Sequence, residues 1–108
     1  MNKEPIYVIE VLCCKAEEVE KNINNLLYLA YSLPSRDIGF YHEKEVAVED
    51  LNNNNLNIRE FTYDYAILLK RSPGLYNVTL EEDILLFKWN KEKQGFFEVK
   101  YEISNWYS

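Results

Sequence analysis

An apolar strand followed at once by an amphipathic helix is the feature that most constrains this chain. Over residues 6–14, Tyr7, Ile9, Val11 and Cys13 share one face of a strand. Ile6, Val8 and Leu12 dominate the other face, which is broken by Glu10. Apolar and β-branched side chains on both faces mark an interior strand covered on each side. Ala16, Val19, Ile23, Leu26, Leu27 and Ala30 then recur at helical spacing, while Glu17, Glu18, Glu20, Lys21, Asn24 and Asn25 fill the opposite side. Glu17 and Glu18 stand in the first turn, where the helix dipole favours negative charge. Pro34 ends the helix near Leu33, so the spacing predicts one helix over 16–33. Such a helix buries its stripe only by lying on a sheet, and the fold class is therefore α+β.

The rest of the chain supplies that sheet. Residues 38–42 and 45–48 read as a short hairpin around Glu43 and Lys44, followed by a polar loop over 50–55. From Phe61 to Lys70 the pattern alternates strictly, with Phe61, Tyr63, Tyr65, Ile67 and Leu69 on one apolar face. Ser72, Pro73 and Gly74 make a turn before a short strand over 75–80. Residues 84–89 carry two signals. Thr79 with Glu82 fits a capping box that would open a helix, whereas Leu85, Phe87 and Trp89 alternate as in a strand. The strand is favoured, because residues 90–95 resemble a hairpin loop leading into the clean alternation of Phe97, Val99, Tyr101 and Ile103. The expected architecture is one helix on a mostly antiparallel sheet of five to six strands, in the order β-α-β(β)-β-β-β-β.

A chain of 108 residues fits one domain, 1–108, and at this length a hydrophobic core forms without metals or disulfides. Twelve Lys and Arg stand against 18 Asp and Glu, a net charge of −6. That sign repels polyphosphate, and no basic stripe exists, which argues against direct nucleic-acid binding and against an anionic membrane surface. No apolar run approaches the roughly 20 residues that span a bilayer. The adjacent Cys13 and Cys14 point to opposite faces of a strand and suit reduced thiols. With no signal-peptide pattern at the start of the sequence, the expectation is a cytoplasmic protein.

Catalytic constellations are scarce. His42 is the lone histidine, and its neighbours Glu43 and Glu45 do not complete a zinc or acid–base site. Cys13 or Cys14, at a strand-to-helix junction, is the best nucleophile on offer, with a thiol acidified by the helix dipole. No base or oxyanion signature accompanies it. The stretch from Asp50 resembles a calcium loop, but Asn55 replaces the turn glycine and Glu60 falls at position eleven rather than twelve. Three scattered glycines build no phosphate-binding loop. No cofactor and no metal are expected.

Acidic residues gather in two stretches, Glu43, Glu45, Glu49 and Asp50 and then Glu81, Glu82 and Asp83, with Tyr41, Tyr76 and Trp106 close by in sequence. Carboxylates steer a basic partner and aromatic rings anchor it. The expected function is that of a small acidic protein-binding inhibitor, like an immunity protein, an antitoxin or a phage-encoded inhibitor. Such a protein blocks a basic, nucleic-acid-processing partner by charge mimicry. The alternative is a small ligand-binding regulatory domain or enzyme with a pocket near Cys13 and His42.

Overall fold

The computed structural model describes residues 4–58, 63–72 and 80–99. Five strands form one sheet: β1 (Ile6–Leu12), β2 (Ser35–Tyr41), β3 (Tyr65–Arg71), β4 (Ile84–Asn90) and β5 (Gly95–Glu98). Their spatial order is β2-β1-β3-β4-β5, and every neighbouring pair is antiparallel. Among the described residues, three helices accompany them: α1 (Ala16–Lys21), α2 (Leu26–Tyr31) and α3 (Lys44–Asn52). A 3₁₀ turn, Glu81–Asp83, precedes β4. The class is α+β.

β1 is the interior strand its composition demands, paired with β2 on one side and β3 on the other. Two cores result, one on each face of the sheet. Ile9, Val11, Ala66, Leu68, Phe87 and Phe96 meet Ala47 and Leu51 of α3 on the first. Leu12, Tyr65, Ile67, Leu69, Ile84 and Leu86 meet Val19 of α1 and Leu29 and Ala30 of α2 on the second. The structure thus corrects the picture of a single helix on a sheet.

The apolar stripe over 16–33 survives, but as two helices separated by a turn at residues 22–24. The cause is the asparagine run. Asn22 donates its side-chain amide to the Glu18 carbonyl, and the Asn25 side chain accepts from the Tyr28 backbone to cap α2. These side chains compete with the backbone ladder and so end one helix and start another.

The hairpin expected over 38–48 also gives way. Its first half is β2, but residues 45–48 belong to α3. Ala47 and Leu51 lie four apart and are both buried on the sheet, a burial that outweighs the local alternation of Val46 and Val48. Residues 50–52 close that helix rather than open a loop. The chain then bends through Asn54 and Asn57, both at a φ of 53°, a left-handed conformation that asparagine tolerates.

β3 is buried on both faces rather than one, since Ala66 and Leu68 enter the first core and Tyr65, Ile67 and Leu69 the second. Residues 84–90 form a strand, and the turn at 91–94 joins it to β5 as a hairpin. The strand expected over 75–80 lies outside the described residues apart from Leu80. So do the start of the strand expected from Phe61 and the end of that expected over 97–103.

Candidate functional site

α3 carries the first acidic stretch, and its seat on the sheet is set from below. Tyr41, the last residue of β2, donates its phenol to Asp50 Oδ2 at 2.6 Å, and Asn55 donates to Oδ1 at 2.8 Å. The Tyr41 ring lies across Gly39, where an added Cβ would stand 2.7 Å from the ring. Bonds from Asn55 and Tyr41 hold the Asp50 carboxyl below its ordinary range, while burial and the adjacent carboxylate push the Tyr41 phenol up. Tyr41 and Asp50 therefore join β2 to α3. Glu43, Glu45 and Glu49 project into solvent from the same helix and its N-terminal cap position.

The second acidic stretch forms the 3₁₀ turn. Asp83 is half-buried and accepts the Leu80 backbone N–H at 3.1 Å, whereas Glu81 and Glu82 are exposed. This second stretch reaches a cleft of 380 Å³ through Glu82 and Asp83, and from the region of the first stretch Lys44 lines the same cleft. Its lining comprises Tyr7, Leu68, Leu85, Lys44, Lys70, Glu82 and Asp83. Lys44, the first residue of α3, stands between Glu43 and Glu45 in sequence, but neither of those carboxylates lines the cleft. Sequence reasoning missed Lys44 and Lys70 as part of this site. No local pattern signals that a lysine at the start of a helix and one near the end of a strand face the same opening.

The other face of the sheet treats its acids differently. Glu10 is buried, with Ser35 Oγ donating to one carboxylate oxygen at 2.9 Å and Arg71 to the other at 2.9 Å. Burial pushes its carboxyl up; Asp37 adds to that, while Ser35 and Arg71 oppose it. Glu18 pairs with Lys21 at 3.3 Å, and Glu20 pairs with Lys88 at 3.7 Å while accepting the Tyr65 phenol at 2.9 Å.

The thiols and the histidine do not converge. The Cys13 backbone N–H donates to the Pro34 carbonyl just before β2, whereas His42 follows the far end of that strand. Seven strand residues separate those ends by roughly 20 Å. His42 is exposed and both cysteines are half-buried. Burial, then Glu18 and Cys13, push the Cys14 thiol up, the reverse of the acidification expected from the helix dipole. The six-residue α1 is too short for its dipole to outweigh these effects.

A smaller cavity of 230 Å³ opens on the same face as α3, walled by Val11, Cys13, Ile38, Leu56, Ile58, Tyr63 and Arg36. Among the described residues, no cluster of three or more metal-ligating side chains occurs. No helix among them is long and apolar enough to cross a membrane. Tyr76 and Trp106 lie outside the described residues. Compared with protein-family models, curated proteins and solved structures, the chain finds no match.

Proposed function

We propose that this chain is an acidic protein-binding inhibitor, of the kind represented by immunity proteins, antitoxins and phage-encoded inhibitors. It engages a basic, nucleic-acid-processing partner through Glu43, Glu45, Glu49, Glu81 and Glu82. The observation that carries this reading is the exposure of Glu43, Glu45 and Glu49 on α3 and its cap position and of Glu81 and Glu82 on the 3₁₀ turn. Exposed carboxylates on a rigid scaffold imitate the spaced charges of a polyphosphate and speed encounter with a cationic active site. Lys44 and Lys70 line the cleft together with Glu82 and Asp83, so its lining carries both signs of charge, while Glu43, Glu45, Glu49 and Glu81 are exposed outside that lining. The two lysines also supply a positive element that gives the contact register and not merely attraction. The exposed Val46, on the same helix as Glu45 and Glu49, adds an apolar contact.

The test pairs identification with reconstitution. The purified chain captures its partner from extract of its own cells, and association of the two purified proteins is then followed as a function of salt. Glu43→Gln, Glu45→Gln and Glu49→Gln together are expected to slow association at least tenfold and flatten its salt dependence. A control with Glu17→Gln and Glu92→Gln leaves it within about twofold. A partner without a basic surface rejects this reading, as does a partner bound equally well by the triple variant.

A further inference from the structure

The 230 Å³ cavity lies at the end of the α3 face marked by Cys13, away from the acidic cleft whose floor includes Tyr7. Protein interiors hold few voids larger than a water molecule, and an apolar cavity of about 150 Å³ is enough to take up benzene. Four of its seven lining residues are aliphatic: Val11, Ile38, Leu56 and Ile58. Cys13, just past the end of β1, also lines the cavity, and its thiol donates to the Val11 carbonyl at 3.6 Å.

Among the described residues, one charged group lines this space. Arg36 lines the cavity although the residue is exposed, which puts its aliphatic stem along the wall and its guanidinium at the mouth. Among the described residues, no carboxylate forms an ion pair with it. The contrast with Arg71 is direct, since that guanidinium is held by Glu10. An apolar chamber whose described lining carries one planar cation matches one ligand chemistry: an apolar body that ends in one carboxylate. A phosphate carries more charge than one arginine offsets, and a neutral hydrocarbon leaves the guanidinium without a role.

We propose that this cavity binds a small apolar monocarboxylate, aromatic or short-chain aliphatic, with the carboxylate paired to Arg36. The site is separate from the acidic face, and its failure would leave the partner-binding reading untouched.

Benzoate and hexanoate, with neutral benzamide as control, test this on the ¹⁵N-labelled chain by titration monitored through backbone amide shifts and by calorimetry. Saturable shifts are expected at Val11, Cys13, Ile38 and Leu56 for both acids. Benzoate is expected to bind at least tenfold more tightly than benzamide. Arg36→Gln, at an exposed position where folding is preserved, should remove that difference by weakening benzoate alone. Leu56→Trp, which fills the chamber, should abolish binding of all three. The proposal is overturned if no saturation is seen, if the shifts map elsewhere, or if benzoate binds the Arg36→Gln chain as tightly as the parent.

Discussion

The phenol of Tyr41 donates a 2.6 Å hydrogen bond to Asp50, tying the edge strand β2 to α3. This bond sets where the acidic helix stands, because Tyr41 ends the strand and Asp50 lies in the last turn of the helix. Tyr41→Phe and Asp50→Asn should each destabilise the fold by about 1 kcal/mol, a figure for a partly exposed bond to a carboxylate. The double variant should lose less than the sum of the two single ones, since both touch the Tyr41–Asp50 bond while Asp50→Asn also weakens the bond from Asn55. Asp50 adds an acid-side signature. Its folded carboxyl titrates below the ordinary value of 3.8, so its contribution is fully present above about pH 4 and lost as pH falls through the lowered value. Urea midpoints between pH 2 and 5 should show this loss shrinking in Asp50→Asn.

Glu10 carries the opposite linkage. Burial pushes its folded carboxyl above the ordinary 4.5, so its contribution is greatest below that value and is lost as pH rises through the raised one. Glu10→Gln should therefore remove a decline in stability that the parent shows from pH 4.5 upward. Arg71→Met is the sharper test. The Glu10 side chain is 5% exposed and that of Arg71 38%, so removing the cation strands a buried carboxylate while leaving a partly solvated gap. A loss of about 3 kcal/mol is expected at pH 7, at the lower end for breaking a buried pair. Much of it should return as pH falls through the raised folded value of Glu10, where the buried carboxyl takes up a proton.

Gly95 begins β5 against the end of α3. A Cβ there would stand 1.8 Å from the Asn52 carbonyl oxygen and 2.7 Å from its carbon, both backbone atoms that cannot swing aside. Gly95→Ala should cost at least about 3 kcal/mol, the upper range for overpacking, because helix and strand must part to admit one methyl group. Thermal and urea unfolding of this variant measure that cost directly.

Cys14 should react slowly. With its thiol pushed up by burial and by Glu18, it holds less thiolate at neutral pH than a free cysteine does. Alkylation by iodoacetamide in the folded chain should be several-fold slower than in urea, corrected for intrinsic thiol rates, and its pH profile should be displaced to the alkaline side. Glu18→Gln should recover part of the rate.

Much of the sheet was legible from composition and period. Val8, Val11 and Leu12 placed apolar side chains on both faces of β1 and so announced an interior strand. Asn90 to Gly95 read as a hairpin loop because Phe87 and Trp89 on one side and Phe97 on the other alternate as paired strands do. Helix α3 was not legible. Its nine residues include Val46 and Val48 between acids, which mimic a strand, and the decision lay with Ala47 and Leu51 finding the first core. The candidate site was readable only in part. Glu43, Glu45, Glu81 and Glu82 stood out as acidic, whereas Lys44, Lys70 and the cavity beneath Arg36 had no local pattern to reveal them.

The sequence by itself determined the mixed class, the interior character of β1, the apolar stripe of the first helical segment and the scarcity of catalytic groups. Each of these follows from which side chains neighbour one another along a strand or a helix turn. The tertiary structure alone decided that helices lie on both faces, that Glu10 is buried against Arg71, and that Lys44, Lys70, Glu82 and Asp83 share one cleft. Those outcomes depend on the register and packing of distant segments. Their energies are sums over many long-range contacts, which no local period encodes.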